Sequence, residues 1–292
     1  MVRAGSVLKP WHLAAAASIG VTTIKVRRSP LVGVVSTGSE VVDAGAPIRP
    51  GQVANSTKPF LLALARQRNC QPVDLGTVPD DTAEIKNAVE FGLKRCDIIL
   101  TTGGSSVGEK DLVFEAMSRV RPNTAVAHGL RIRPGRPTGI LVVRGIPVFV
   151  LSGFPVAAMA GFQALVEPTM VYLMGSMEDP VPMMSGRLTR KVPNESGNRA
   201  YVRVRVSRCA EGIEVDPLML TGSGLLSSLT KANGMLVIDE AVEGYDEGEQ
   251  VEVLLTGSVF QSQSSLGSGK GPTHRSRPSD SKIRPGSLKE GS

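Results

Sequence analysis

Short apolar runs alternate with segments of helical periodicity over residues 31–175. The apolar runs predict strands, and apolar positions spaced three to four residues apart between them predict helices. This alternation is typical of a mostly parallel sheet covered by helices on both faces. The predicted elements are strand Leu31–Ser36, helix Ser56–Gln67, strand Gln71–Thr77, helix Thr82–Lys94, strand Asp97–Thr101, helix Lys110–Val120, strands Gly139–Val143 and Val148–Leu151, and a helix that starts near Pro155.

After about residue 180 helical periodicity gives way to alternation of apolar and polar residues, as in Tyr201–Val206, and later to the short strand-like segments Gly234–Ile238 and Gln250–Leu255. Short strands separated by glycine-rich turns predict a small β domain, a sandwich or a barrel, over about residues 180–256. Arg203 and Arg205 alternate with valines in the first of these strands. We expect them to form the solvated face of a half-buried strand rather than a grip for an anion.

The chain therefore divides into four segments. Residues 1–28 show a few short elements and are interpreted as the remnant or linker of a domain that this sequence lacks. The predicted fold class is α/β, with a three-layer αβα domain over residues 29–176 and a small C-terminal β-barrel over residues 177–256. Residues 257–292 carry six basic and two acidic residues, a net charge of +4, whereas the whole chain carries +6. This basic tail is rich in Gly, Ser and Pro and is predicted to be disordered.

Composition excludes several classes of protein. Three cysteines without paired spacing argue against a disulfide framework or a zinc cluster and favour the reducing cytoplasm. With three histidines, a metal cage built from histidine is not expected. No apolar run approaches the ~18 residues of a membrane span, and no aromatic residues are interleaved with the basic tail to stack on bases. We therefore expect neither a membrane nor a nucleic acid as partner.

A glycine-rich loop follows the strand Asp97–Thr101 and contains Gly103, Gly104 and Gly108. Backbone N–H groups without side chains can close on a phosphate where such a loop enters a helix. The loop lacks the Gly-Lys-Ser/Thr of a P-loop and the Gly-x-Gly-x-x-Gly of dinucleotide-binding folds. Taken alone, such a loop is more often a plain turn between a strand and a helix than a phosphate site.

Polar or glycine-rich clusters follow the predicted strands, and ligands of such sheets bind beyond the carboxyl ends of the strands. The carboxylates among them suit Mg²⁺, and the arginines suit oxyanions. Each cluster alone has a simpler explanation, since Asp81 is expected to cap a helix and Asp80 to occupy a turn. Their repetition favours a phosphate or oxyanion site. The clusters are Ser36–Glu40, Pro79–Asp81, the glycine loop with Asp111, Arg131–Pro137 and Ser152–Pro155.

These motifs closely resemble the MoeA/gephyrin E-domain family, the molybdopterin molybdenumtransferases. The resemblance covers about residues 5–256. Thr57 replaces a family Asn, and Ser152 and Phe154 replace the family's Pro and Asn. The matching segments are Ser36–Glu40, Gly51–Ser56, Asp80-Asp81, Thr102–Asp111, His128-Gly129, Arg133–Pro137 and Gly222–Leu229.

The resemblance implies a molybdopterin-binding, MogA-like αβα domain followed by a β-barrel. It also implies insertion of molybdate into adenylylated molybdopterin, with release of AMP and dependence on Mg²⁺. Carried over by position, the implied catalytic residues are Glu40, Asp80, Asp111 and Arg133, and the first three are the implied metal ligands. The implied substrate-binding residues are Thr37, Gly38, Gly103, Gly104, Ser105, Ser106, Gly108, Arg136, Gly153, Pro155 and Ser223.

Members of this family carry two N-terminal domains that this sequence does not match. The resemblance therefore implies a homodimer, or a partner that carries the missing domains. Two alternatives remain open, a non-catalytic molybdopterin-binding or scaffold module and a pyrophosphatase on a related domain. Tungstate also remains open in place of molybdate.

Overall fold

The computed structural model describes residues 2–104, 111–177, 182–218 and 226–261. Six of the strands before residue 152 form one sheet in the order β4-β1-β5-β9-β8-β6. Strands β4, β1, β5 and β9 run parallel to one another, and β8 is antiparallel to both β9 and β6. The strands of this region are β1 Leu31–Thr37, β2 Val41–Val42, β3 Val53–Ala54, β4 Gln71–Val78, β5 Ile98–Thr102, β6 Asn123–His128, β7 Ile132–Arg133, β8 Gly139–Val143 and β9 Ile146–Leu151.

Helices cover both faces of this sheet, as the sequence predicts. Successive strand residues point to opposite faces, so Val34 packs with one helical layer and Val35 with the other. One layer is formed by α2, α5 and α6, and the other by α3 and α4. The helices of this region are α1 Pro10–Ser18, α2 Thr57–Gln67, α3 Thr82–Leu93, α4 Leu112–Ser118, α5 Pro155–Gly161 and α6 Glu167–Met174.

A π-helical segment, Phe162–Val166, joins α5 to α6, so that Pro155–Met174 is one helix of 20 residues. By length and composition this helix could cross a membrane, which corrects the expectation that no segment of this size would qualify. Half of it is buried inside the protein, where Phe162 and Val166 pack against the sheet. It is therefore placed as a core helix of the first domain.

Five strands of the second region close into a barrel in the order β13-β10-β16-β14-β12, because β12 also pairs with β13. Val204, Val206, Val215, Leu236 and Val253 belong to its interior. The barrel confirms the predicted C-terminal β fold. The elements are β10 Met183–Leu188, β11 Val192–Pro193, β12 Arg199–Cys209, β13 Gly212–Pro217, α7 Leu226–Lys231, β14 Gly234–Ile238, β15 Gly244–Tyr245, β16 Gln250–Leu255 and β17 Phe260–Gln261.

The prediction that Arg203 lies on a solvated face is wrong. Arg203 is 4% exposed, and its guanidinium donates a hydrogen bond of 3.3 Å to the hydroxyl of Ser228 on α7. Burial lowers the pKa of this guanidinium. The outer face of β12 is covered because Tyr201 packs into the same core cluster as the helices of the first domain. Arg205 is exposed, as expected.

The first domain is preceded by residues 2–30 and is connected to the barrel through β7. Residues before β1 form α1, which has no buried residue, and a stretch without helix or strand, at whose end Arg28 forms a bidentate pair with Asp97. The barrel contacts the first domain through β7, which pairs with the start of β12. The interpretation of residues 1–28 as a linker and of residues 257–292 as a disordered tail stays a prediction.

Candidate functional site

Five connections that contain predicted ligand-binding residues lie, as far as the structure describes them, at one edge of the sheet. Parallel strands bring their carboxyl ends to the same edge, which collects the segments after β1, β4, β5 and β9. The β6–β8 connection reaches this edge as well, because β8 runs antiparallel to both of its neighbours. The segments are residues 38–40, 79–81, 103–104, 129–138 and 152–154.

Three of these loops touch each other at the centre of the edge. A Cβ on Gly103 would lie 2.1 Å from the carbonyl oxygen of Thr37, and a Cβ on Gly104 would lie 2.6 Å from the Thr37 hydroxyl. A Cβ on Gly153 would lie 3.5 Å from the Cα of Gly103. Thr37 is 2% exposed, and its hydroxyl has no hydrogen-bond partner among the described residues. The glycines are therefore required by close contact between loops, and they leave a buried hydroxyl to be satisfied.

Hydrogen bonds fix the loop that follows β9. The Thr102 hydroxyl donates to the carbonyl oxygen of Ser152 at 2.9 Å, and the Thr57 hydroxyl donates to that of Gly153 at 2.6 Å. The backbone N–H of Phe154 donates to the hydroxyl of Ser152 at 3.2 Å. Pro155 then opens α5 at a position where its missing N–H costs nothing. Gly153 and Pro155 thus lie at the edge where the sequence places them.

Two of the predicted acidic residues lie at the ends of neighbouring strands. The backbone N–H of Asp80 donates to the hydroxyl of Ser39 at 3.2 Å, and the N–H of Ser39 faces the Asp80 carboxylate at 3.4 Å. Glu40 follows Ser39 directly, and both Glu40 and Asp80 are exposed. Asp81 caps α3 as expected, since it accepts hydrogen bonds from the N–H groups of the first turn. The structure therefore brings Glu40 and Asp80 into one region.

Asp111 occupies a different part of the edge. Its Oδ1 accepts hydrogen bonds from the N–H groups of Val113 and Phe114, each at 3.0 Å, and its Oδ2 lies 3.2 Å from Nε2 of His128. Burial raises the pKa of the Asp111 carboxyl, although these N–H groups and His128 act in the opposite direction. The sequence predicts that N–H groups at the start of α4 bind a phosphate. In the structure, the N–H groups of Val113 and Phe114 donate to Asp111 instead.

The strand order separates these carboxylates. His128 ends β6, which lies four strands from β1 in the sheet, roughly 19 Å at about 4.8 Å per strand. Among residues 2–104, 111–177, 182–218 and 226–261, no group of three His, Cys, Asp or Glu side chains could hold a metal ion. A metal site shared by Glu40, Asp80 and Asp111 stays a prediction.

The β6–β8 connection presents exposed arginines on a rigid turn. The N–H of Leu130 donates to the carbonyl oxygen of Arg136 at 2.9 Å, and a Cβ on Gly135 would lie 3.0 Å from a backbone oxygen of α5. Arg131, Arg133 and Arg136 are exposed and form no ion pair with any residue that the structure describes. By contrast, Arg144 pairs with Glu90, and Arg28, Arg119, Arg187, Arg190 and Arg199 pair with carboxylates as well. The unpaired guanidiniums remain available to an anionic ligand.

A buried lysine, Lys58, anchors residues 41–54, the segment that follows Glu40. Lys58 on α2 is 5% exposed, and its ammonium lies 2.9 Å from the carboxylate of Asp43 and 3.1 Å from that of Asp74. The Thr77 hydroxyl donates to Asp43 at 2.7 Å. The hydrogen bond from Lys58 holds the pKa of Asp43 below its usual range, and Thr77 acts in the same direction. These contacts attach residues 41–54 to α2 and β4.

Four of the predicted ligand-binding residues, Ser105, Ser106, Gly108 and Ser223, lie outside the described residues. Sequence reasoning also left one residue unassigned. His128 appears there only as part of a motif, yet it lies beside both Asp111 and the arginine turn. Its position three residues before Arg131, the first of the three arginines of the turn, is the signal that could have singled it out.

The protein consists of an αβα domain joined to a closed β-barrel. In domains with an open α/β sheet, ligands bind at the carboxyl ends of the strands, which is the edge described above. Residues 33–171 match the family described as "Probable molybdopterin binding domain". Residues 185–256 match "MoeA C-terminal region (domain IV)". The chain therefore belongs to the MoeA family of molybdopterin biosynthesis proteins.

Relatives from archaea and bacteria share both domains. A putative molybdopterin biosynthesis protein of Methanocaldococcus jannaschii is 34% identical over 264 residues, which are 87% of this chain and 62% of the relative. The molybdopterin molybdenumtransferase of Staphylococcus aureus is 28% identical over 88% of this chain and 61% of its own length. This chain thus spans about three fifths of the length of these curated relatives.

Solved structures support the same fold. The crystal structure of a molybdopterin biosynthesis MoeA protein from Pyrococcus horikoshii matches with a TM-score of 0.75 and 31% identity, over 88% of this chain and 62% of that one. A molybdenum cofactor biosynthesis protein from Pyrococcus furiosus matches with a TM-score of 0.66 and 31% identity, over 87% of this chain and 78% of that one.

Proposed function

We propose that this chain takes part in the insertion of molybdate into adenylylated molybdopterin, with release of AMP. The observation that carries the proposal is the contact of the β1, β5 and β9 loops at the edge of the sheet that also holds the unpaired arginine turn. Family membership and a relative named molybdopterin molybdenumtransferase support the choice of substrate.

The residues at this edge of the sheet have different roles in binding the substrates. The guanidiniums of Arg133 and Arg136 attract the oxygens of molybdate and phosphate, because a planar guanidinium donates two hydrogen bonds to such groups. Gly103 and Gly104 let the ligand approach the backbone, and the buried Thr37 hydroxyl is available to a polar ligand atom. Holding both substrates in one orientation lowers the entropic part of the barrier.

The donor chemistry at Glu40 and Asp80 fits Mg²⁺, because both are exposed carboxylates at the ends of neighbouring strands. Asp111 fits less well, since both of its oxygens already have partners. When bound, Mg²⁺ would neutralise the charge of the substrate's phosphate groups. Glu40 and Asp80 are therefore the residues that we assign to it.

We propose that a complete site needs more than one chain. The second chain is either another copy in a homodimer or a partner that supplies the portion of the relatives that this chain does not match. We place the reaction in the cytoplasm, with support from the free thiols of Cys70, Cys96 and Cys209.

The test is release of AMP from adenylylated molybdopterin when molybdate and Mg²⁺ are added. It is run with the chain alone and with the N-terminal portion of a longer relative supplied as a separate chain. AMP release that depends on molybdate supports the proposal. Tight binding of molybdopterin without turnover in either mixture would instead support a carrier or scaffold module.

A further inference from the structure

The imidazole of His128 is held in one orientation by its neighbours. Its Nε2 lies 3.2 Å from the carboxylate of Asp111, and its ring stacks on Phe114 with 4.0 Å between ring centroids and 26° between planes. Phe114 is itself fixed by Gly139, where a Cβ would lie 2.6 Å from the tip of the phenyl ring. The plane of the imidazole is therefore set before any ligand arrives.

Phe114 covers one face of this ring, and the opposite face is open. The His128 side chain is 48% exposed, and no second ring contacts it in the part of the chain that the structure describes. Planar heterocycles bind to such faces by stacking, and the gain does not depend on a particular hydrogen-bond pattern.

His128 and the arginine turn form one unit. The N–H of Gly129 donates to the carbonyl oxygen of Thr138 at 3.1 Å, so the β6–β8 pairing continues directly into the turn. Arg133 lies five residues after His128 in the sequence. The same connection therefore carries guanidiniums that suit a phosphate group and an imidazole that suits a planar ring.

We propose that His128 is a substrate-binding residue whose open face stacks on a planar heterocycle of the phosphorylated substrate, either its pterin or its adenine ring. The inference rests on the proposed function and adds a ring-binding subsite to it. Phe114 is a positioning residue in this arrangement, because it acts on the substrate through the ring that it stacks on.

Two substitutions separate stacking from hydrogen bonding. His128→Phe keeps an aromatic face and loses the contact with Asp111, whereas His128→Gln keeps an amide that can reach Asp111 and loses the ring. If stacking is the role of His128, His128→Phe binds like the wild type and His128→Gln does not. Equal unfolding midpoints of the two variants would show that the comparison concerns binding rather than folding.

The probes are neopterin 3′-monophosphate, AMP and inorganic phosphate. Binding of the pterin is followed by quenching of its fluorescence, and binding of AMP and phosphate by calorimetry. We expect His128→Gln to weaken binding of the stacking ligand roughly tenfold, with phosphate binding unchanged. Whichever of the two ring-bearing probes responds identifies the ring. His12→Gln is the control, since His12 lies on α1.

Undiminished binding of both ring-bearing probes by His128→Gln would overturn the inference. So would a wild type that binds the ring-bearing probes no more tightly than inorganic phosphate, although oxyanion binding at the arginine turn would then stand. A wild type that binds none of the three probes would overturn the proposed function and the inference together.

Discussion

The hydroxyl of Thr57 donates a hydrogen bond of 2.6 Å to the carbonyl oxygen of Gly153, which joins the first turn of α2 to the loop after β9. Thr57 is 3% exposed, so little water competes for this contact. The bond crosses 96 residues of sequence. It holds the loop of Gly153 where it can touch Gly103.

We expect Thr57→Val to lower the free energy of unfolding by about 1 kcal/mol, because the shape of the side chain is kept and one hydrogen bond is lost. Thr57→Ser keeps the hydroxyl and should remain closer to the wild type. Urea denaturation measures both. Equal stability of Thr57→Val and the wild type would contradict a supporting role for this bond.

The close approach of Gly103 to Thr37 gives a second prediction, with Gly51 as the matched control. Both glycines have positive φ, +92° and +84°, but a Cβ on Gly51 would meet nothing within 4 Å. Gly51→Ala should therefore cost about 1 kcal/mol for backbone strain alone. Gly103→Ala should cost roughly 2 kcal/mol more, because the methyl group would overlap the backbone oxygen of Thr37.

Thermal and urea unfolding of the two alanine variants provide the measurement. A similar loss of stability in both variants would show that the loops after β1 and β5 can separate at little cost. In that case, close packing between the loops would not explain why glycine is required at position 103.

The fold follows largely from the sequence because its signals are local. Apolar runs of four to six residues between helical periods define β1, β4, β5 and β9 within one or two residues. The strand β6 was missed, because Asn123–His128 has few large apolar residues and follows the turn-forming Arg121-Pro122. Its place in the sheet depends on pairing with β8, and a local sequence pattern cannot predict this pairing.

Contacts between residues far apart in the sequence explain why the environments of Arg203 and Asp111 differ from those predicted. Arg203 alternates with valines as a solvated residue would, but α7 and the first domain cover that face of β12. Similarly, the spacing of Asp111 after the glycine loop cannot show that α4 and His128 take both of its oxygens. The sequence places these residues at one edge of the sheet and leaves open which of them remain free to bind a ligand.

The contacts of Asp43 predict a dependence of stability on pH. Its pKa is lowered in the folded protein by Lys58, so the ionised form is favoured by folding. This contribution is present above the unfolded pKa of about 3.9 and is lost as the pH falls through the lower, folded value. We expect the stability difference between the wild type and Asp43→Asn to be largest at neutral pH and to shrink below about pH 4.

Unfolding of the two proteins at a series of pH values tests this expectation. Asp246→Asn is the control, because Asp246 pairs with Lys191 where both side chains are 69% exposed, and exposed pairs contribute little. A constant difference between the wild type and Asp43→Asn from neutral pH into the acid range would show that Lys58 does not stabilise the Asp43 carboxylate.

The arginine turn predicts which substitutions weaken binding of oxyanions. We expect Arg133→Ala and Arg136→Ala each to reduce the affinity for molybdate roughly tenfold, because a hydrogen bond to a charged group contributes about 1.5 kcal/mol or more. Arg187→Ala should leave the affinity unchanged, since Arg187 pairs with Glu211 on the barrel. Added salt should weaken binding by the wild type more than by either turn variant, because exposed charges are screened. Calorimetric titrations with molybdate at low and high salt measure both effects, and an equal loss in all three variants would mean that net charge rather than the turn attracts the anion.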